Sequence, residues 1–448
     1  MNILSSQLAI SIENASLYKN LQESLNHQVQ LTNAYSRFVP KEFLDLLEKS
    51  SILDIRLGDQ VQKDMTVLFS DIRSFTTLSE GMSPAENFKF INDYLGKMEP
   101  AIGINNGFID KYIGDAIMAL FPGSTDEALK ASIDMLENLK TLNNEFKSED
   151  RQTIKIGIGL NSGNLMLGTV GGSNRMEGTV ISDAVNIASR IESLTKEYGV
   201  SLLISEKSYF SLKKPSNFHI RFIDNVRVKG KTNYIGIYEI YDQDPPNVKE
   251  LKNSNLDLFN EAVSQYHLLE IESAKAIFQK YLSLVPEDSV AQKYLLRCDE
   301  YIASAVFHGD EFFAQKIEWN NDLITGNKQL DAQHMELFKR MNLVLKNINE
   351  DPKLENFNES LTFLENYTNK HFHLEESIME ETSYPGYSFH KEQHEKFILE
   401  IAELRRFQKQ NLKIKFPLIL RLRSQVVNWF IDHILTLDMK LSQFLKHT

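Results

Sequence analysis

The feature that most constrains this chain is a pair of carboxylates placed at the ends of short apolar strands. Met65-Thr-Val-Leu-Phe69 is an apolar run with β-branched residues and predicts a buried strand. It runs into Ser70-Asp71-Ile72-Arg73-Ser74-Phe75-Thr76, a carboxylate followed by a small polar turn. Further along, Phe108 to Leu120 predicts two strands folded back at Gly114-Asp115. Asp71 and Asp115 then sit at the tips of strands that can lie side by side. Hard oxygen ligands on rigid strand ends suit Mg²⁺ or Mn²⁺. On the local pattern alone, two ordinary turn aspartates would look the same.

The wider pattern separates these readings. Phe69 to Thr76, Lys111-Tyr-Ile-Gly-Asp115 and Val185-Asn186-Ile-Ala-Ser-Arg190, followed in order by Val228-Lys229-Gly230-Lys231, closely resemble the class III nucleotide cyclase catalytic domain. The resemblance runs from about residue 60 to 242 and implies an α+β palm-like fold with a ferredoxin-like core. It also implies two Mg²⁺ or Mn²⁺ per active site, held by Asp71, Asp115 and the backbone at Ile72. One metal would acidify the ribose 3′-hydroxyl and the other would neutralise the leaving phosphates. By the same resemblance Asn186 orients the ribose and Arg190 stabilises the α-phosphoryl transition state. Lys229 meets the terminal phosphates, and the backbone N–H groups of the Ile72–Thr76 turn, Phe75 and Thr76 included, face phosphate oxygens.

Base choice rests on two positions. Adenine presents an acceptor at N1 and a donor at its amino group. Lys111 can only donate and Thr179 can accept, so the pair suits adenine. Guanylate-selective members of the family carry an acidic residue where this chain has Lys111, and Thr179 in place of Asp resembles the bacterial and bicarbonate-responsive branch. The expected activity is that of an adenylate cyclase, a phosphorus–oxygen lyase converting ATP to 3′,5′-cyclic AMP and pyrophosphate. In this family the metal aspartates and the base- and ribose-binding residues of one site come from different subunits. A head-to-tail homodimer with two sites is therefore implied. A diguanylate cyclase has a similar palm, but its Gly-Gly-Asp/Glu-Glu-Phe turn is absent from the sequence.

Within this region the pattern predicts helices at Pro84 to Ile104 behind Ser83 as N-cap, at Thr125 to Phe146, and at Asp183 to Tyr198. Strands are expected at Ile154 to Leu160 and Ser201 to Ile204, Glu177 to Ser182 leads into the last of these helices, and Phe218 to Ile240 closes the domain.

No run of about eighteen uncharged apolar residues is present to cross a membrane. Cys298 is the single cysteine, which excludes an internal disulfide and fits a cytoplasmic location. A net charge of −12 argues against general nucleic-acid binding. Residues 1–40 predict a helix with Ile3, Ile10, Leu17 and Leu31 on a seven-residue repeat gapped at Ser24, broken near Arg37-Phe-Val-Pro40. Ser6 to Ala15 resembles the last helix of a GAF sensory domain, and a plain dimerising helix is the equal alternative. On the GAF reading the chain begins where a sensor would have ended. Residues 41–59 read as a linker.

After Tyr241, Asp242-Gln-Asp-Pro-Pro246 opens a linker over 243–254. Residues 255–305 predict two amphipathic helices broken at Val285-Pro286-Glu-Asp288, similar to a single tetratricopeptide hairpin and read as a packed spacer. The remainder, 312–448, holds seven of the eleven histidines. Read as helices, His371-x-x-x-Glu375 and His390-x-x-x-His394 each place two ligands on one face. His433 and Asp438 lie five apart on another helix, and His334 follows Leu330-Asp-Ala-Gln333 on a fourth. Imidazole with carboxylate suits iron.

Together with Trp319-Asn, His371-Phe-His-Leu-Glu-Glu376 and Tyr384-Pro, the set closely resembles bacterial hemerythrin, an up-down four-helix bundle whose muscle relative belongs to the same bundle class. The resemblance implies two non-haem irons. His390, His394 and His433 would saturate one, and His334 and His371 would bind the second, leaving it open for O₂ as ligand. Glu375 and Asp438 would bridge. Asn327-Lys328 stands where an apolar residue often follows the glycine, a departure that bears on entrance or stability. The expected whole is a cytoplasmic cyclase regulated by O₂ or redox state. The alternative is an O₂-binding or storage protein whose cyclase-like domain is inactive and serves dimerisation.

Overall fold

The computed structural model describes residues 2–35, 39–172, 175–227, 234–308, 318–320, 323–350, 355–410 and 422–445. They divide into two compact units, 1–196 with 211–214, and 197–210 with 215–448.

In the first unit, α1 (Asn2–Tyr35) is one long helix on which Leu17 and Leu31 of the expected repeat are exposed. Arg37 and Phe38, at the expected break, lie outside the described residues. Then come α2 (Lys41–Leu46), β1 (Gln60–Ile72), α3 (Phe75–Glu80), α4 (Pro84–Ile104), β2 (Phe108–Ile113) and β3 (Ala116–Phe121). α5 (Thr125–Ser148), β4 (Ile156–Gly172), β5 (Arg175–Ile181) and α6 (Asp183–Tyr198) complete it. α4 and α5 each begin with a capping box, Ser83 with Glu86 and Ser124 with Glu127. Each box satisfies orphan N–H groups of a first turn.

Strands run in the order β2-β3-β1-β4, with β5 against β4, and every pairing is antiparallel. Met65, Val67 and Phe69 point to one face of β1 and pack with Met118, Leu120, Leu165, Leu167, Ala184 and Ala188. Residues 41–59, expected as a linker, differ. Phe43, Leu46 and Leu47 are buried in this same core. The Phe43 ring occupies the space that a Cβ on Gly178 would need. Three apolar residues on a single turn are too few to register as an amphipathic period.

In the second unit, β6 (Leu202–Ser205), α7 (Glu206–Phe210), β7 (Ile220–Arg227) and β8 (Tyr234–Ile240) give the antiparallel order β6-β8-β7. The expected linker at 243–254 is helical as α8 (Pro246–Ser254), which opens with a proline in its first turn. The expected pair of helices is three: α9 (Leu256–His267), α10 (Ile271–Leu284) and α11 (Ser289–Ser304). The unforeseen break falls at Leu269, whose φ is 63°, with no Gly or Pro to announce it.

A buried charge network ties these helices to β7 and β8. Arg221, with 1% side-chain exposure, donates to Glu239 and, through two nitrogens, to Asp288. Lys252 of α8 donates to Glu239 at 2.9 Å and Asp244 at 2.6 Å, and Tyr281 OH donates to Asp288 at 2.8 Å.

Four helices follow: α12 (Lys328–Glu350), α13 (Glu355–Glu381), α14 (Tyr387–Gln410) and α15 over 422–445. Successive helices pack on one another as an up-and-down bundle. Asn327 caps α12 through the N–H groups of Gln329 and Leu330. The departure noted in the sequence at this position is thus a helix cap. α15 contains π-helical stretches at Leu422–Val427 and Ile434–Asp438.

Candidate functional sites

In the first unit, the end of β1 and the β2–β3 hairpin bring Asp71 and Asp115 to one backbone group. The N–H of Ile72 donates to Asp71 Oδ1 at 3.1 Å and to Asp115 Oδ2 at 3.3 Å. Burial, and then the neighbouring Asp71 carboxylate, push Asp115 up to about 7. Two carboxylates held this close have a deficit of positive charge that a divalent cation meets. Phe75 opens α3 with its ring against Phe90 at 6.1 Å, and Thr76 is exposed beside it.

A β-bulge at Asp110 re-aims the next side chain of β2. That side chain is Lys111, whose Nζ donates to Thr179 Oγ1 on β5 at 2.9 Å. It also lies 3.5 Å from both Asp110 and Glu177. A groove of ≈ 560 Å³ beside Lys111 is lined by Pro40, Glu99, Asp110 and Tyr112 among others, and not by Asp71 or Asp115.

On α6, Ala184, Ala188 and Ile191 are buried, whereas Asn186 is exposed and Arg190 half-buried. The helix thus presents both polar residues away from its own core. Lys229 lies outside the described residues.

In the second unit, His334 of α12, His371 and Glu375 of α13, His390 and His394 of α14, and His433 and Asp438 of α15 are all buried. They form two overlapping sets. Glu375 with His390, His394 and His433 is one, and Glu375 and Asp438 with His334 and His371 is the other. Within each set the ligand atoms lie within 4.8 Å of one another.

Facing Nε2 atoms stand 3.1 Å apart for His334 and His371 and 2.9 Å apart for His390 and His433. All four carboxylate oxygens of Glu375 and Asp438 are buried without a hydrogen bond. Orphaned oxygens and opposed imidazole lone pairs are costly unless cations lie between them, so the residues fit a di-metal centre. Burial opposes a charge on His433, yet the Asp438 and Glu375 carboxylates hold it up at about 9, while burial pushes His371 down to about 4.

The π-helical turn explains a spacing the sequence could not. On a regular α-helix, residues five apart point about 140° away from each other. The i→i+5 geometry of Ile434–Asp438 turns both inward, and His433 Nε2 lies 3.1 Å from Asp438 Oδ1.

Sequence reasoning missed the groups that hold the rings. His371 Nδ1 donates to Gln333 Oε1 and His394 Nδ1 to Glu376 Oε1, each at 3.0 Å. Phe372 stacks on His394 at 3.8 Å and Trp429 on His433 at 4.4 Å. The only available signal was adjacency, since Gln333 precedes one ligand and Glu376 follows another. His373 is exposed and takes no part.

Residues 58–241 match the adenylate and guanylate cyclase catalytic domain family, and residues 325–445 match the hemerythrin HHE cation-binding domain family. An adenylate cyclase of Anabaena cylindrica is 47% identical over 226 residues, 49% of this chain and 45% of that protein. A terminal-differentiation-specific adenylate cyclase of Dictyostelium discoideum is 36% identical over 294 residues, 64% of this chain and 14% of that protein. The chain therefore spans less than half the length of either relative. The crystal structure of the adenylyl cyclase CyaB from P. aeruginosa is 30% identical, with a TM-score of 0.38, over 41% of this chain and 96% of that one.

Proposed function

We propose that this chain, in which residues 58–241 are a class III cyclase catalytic domain and residues 325–445 a hemerythrin HHE domain, converts ATP to 3′,5′-cyclic AMP and pyrophosphate under the control of O₂ or redox state. The observation that carries the catalytic half is the convergence of Asp71 and Asp115 on the N–H of Ile72. Bound there, two Mg²⁺ or Mn²⁺ would favour the ionised 3′-hydroxyl and offset charge on the departing pyrophosphate. The ribose 3′-oxygen attacks the α-phosphorus as the bond to pyrophosphate breaks. Arg190 opposes the charge that builds on the α-phosphoryl oxygens, and Asn186 orients the ribose. Lys111 donates to adenine N1 and Thr179 accepts from the amino group. Backbone N–H groups at Phe75 and Thr76 face phosphate oxygens, and Lys229 serves the terminal phosphates.

A head-to-tail homodimer assembles two such sites. Asn186 points outward from its own core, and the groove beside Lys111 lacks the metal carboxylates, so both features favour completion by a second copy. Ile113 and Met176, exposed on β2 and β5, supply apolar surface for that contact. Mixing the two inactive variants Asp71→Ala and Arg190→Ala tests the arrangement. Each mixed dimer then holds one intact site, and activity should return to about a quarter of the original. If both variants stay inactive after mixing, the shared-site reading falls.

The buried histidine–carboxylate set would hold two non-haem irons that bind O₂ when reduced. His390, His394 and His433 would hold one iron and His334 and His371 the other, with Glu375 and Asp438 contributing carboxylate oxygens to the pair. Among the described residues no helix is long and apolar enough to cross a membrane.

A further inference from the structure

Inside one subunit, the strand end that carries Asp71 is locked to the helix that carries Asn186 and Arg190. Asp71 pairs across the sheet with Gly157 of β4. A Cβ on Gly157 would collide with Thr195 Oγ1 and with Glu192 Oε1, both from α6. At Gly159, opposite Phe69, a Cβ would collide with the α6 backbone at Ala188 and Glu192. Two bare positions on β4 are therefore what let α6 approach so closely. Arg73, two residues past Asp71, donates from Nη2 to the Thr195 carbonyl at 3.0 Å. That carbonyl belongs to the end of the helix, where a cation also meets the negative pole of the helix dipole. Glu192 Oε1 lies over Gly157, the residue that pairs with Asp71, and so sits within the field of the metal carboxylates. Burial, then the Asp71 charge, pushes it up to about 7, and Arg73 opposes them.

We infer that Arg73 and Glu192 are positioning residues through which metal loading at Asp71 and Asp115 of one subunit sets the placement of Asn186 and Arg190 on its own α6. The inference rests on the head-to-tail reading. There, α6 of a subunit acts in the site whose metals the second subunit holds. A link from Asp71 to α6 within one chain then connects the two active sites of the dimer. Divalent cations at the carboxylate pair reverse the sign of the charge facing Glu192. Its carboxylate, half-buried over Gly157, carries that change into the helix.

The first test needs no turnover. Amide hydrogen exchange is followed in full-length protein with and without saturating Mn²⁺ and without nucleotide. Exchange across Ala188 to Tyr198 should slow in the unaltered protein, and less so in Glu192→Gln and in Arg73→Ala. An equal response in all three overturns the inference, as does no response in the unaltered protein.

The second test uses purified heterodimers whose single live site joins the metals of an Arg190→Ala subunit to the α6 of the other subunit. That other subunit is either unaltered or Asp71→Ala. Asp71 of that subunit lies outside the live site, so a purely local role predicts equal kcat. The link predicts a kcat about fivefold lower with Asp71→Ala. Adding Glu192→Gln to the same subunit should abolish the difference. Equal rates, or a difference that survives Glu192→Gln, overturn the inference. An Asp71→Ala/Arg190→Ala heterodimer that is inactive with and without Glu192→Gln overturns the head-to-tail reading itself.

Discussion

Lys111 Nζ donates to Thr179 Oγ1 across 2.9 Å, so the donor and acceptor assigned to a purine base already stand side by side in the free chain. The ammonium has two further N–H groups and the hydroxyl a second lone pair, so a base edge that offers an acceptor to Lys111 and a donor to Thr179 can engage both without parting them. On the proposed function this pair selects the base by hydrogen-bond loss, which discriminates more sharply than shape.

Lys111→Glu should lower kcat/KM for ATP by about 10- to 100-fold, the range expected when a half-buried donor that the bound base would cover is exchanged for an unmatched acceptor. The new carboxylate would also face Asp110 and Glu177, each now 3.5 Å from the ammonium. GTP turnover should stay poor because Thr179 remains. Unchanged kinetics with ATP would show that Lys111 does not read the base.

Metal affinity at the cyclase site should depend on pH in a stated direction. Asp115 is raised to about 7 in the metal-free protein, so below that pH a cation must displace its proton. Apparent Mn²⁺ affinity should be flat above about pH 8 and should fall, on the acid side, by up to about tenfold per pH unit. Mn²⁺ titrations followed by electron paramagnetic resonance from pH 5.5 upward would reveal it. A flat profile across that range would contradict the shared environment of the two aspartates.

Glu376→Gln should weaken iron retention by about 10- to 100-fold, because a carboxylate that accepts from His394 Nδ1 fixes the ring and raises its basicity. Iron content after dialysis against a graded chelator series measures this. His373→Ala, altering an exposed histidine in the same helix, serves as the control and should retain iron normally.

If the di-iron domain regulates the cyclase, the diferrous and the oxygenated or diferric forms should differ in cyclic AMP formation by about 5- to 100-fold, a coupling of about 1–3 kcal/mol. One iron-loaded preparation assayed anaerobically and in air gives the comparison, with a His390→Ala/His394→Ala variant as control. Equal rates in every form would make the bundle a store or scavenger of O₂.

The chemistry-bearing residues were legible because they sit in local patterns. Asp71 lies at the end of a strand and Asp115 in a hairpin turn, and His371 with Glu375 or His390 with His394 repeat at one helical turn. What stayed hidden depends on distant partners. The five-residue step from His433 to Asp438 works only through a π-helical turn. Gly157 and Gly159 look like ordinary strand glycines until α6 is seen to fill their space. Phe43, Leu46 and Leu47 read as linker because their packing partners are far off in sequence.

Arg221 decides where the gene can be divided. Its guanidinium is shared between Glu239, inside the catalytic homology, and Asp288, well beyond it. Ending an open reading frame at 242 would leave that guanidinium without Asp288 and Glu239 without Lys252. Losing one partner of a buried pair costs about 3–5 kcal/mol, a large part of the stability of any domain. A frame ending after Ser304 should yield soluble protein with a higher melting temperature than one ending at 242. The unit that should be moved whole is therefore β7 and β8 with the helices that follow, because a cut placed at the end of the catalytic homology passes through a closed electrostatic lock.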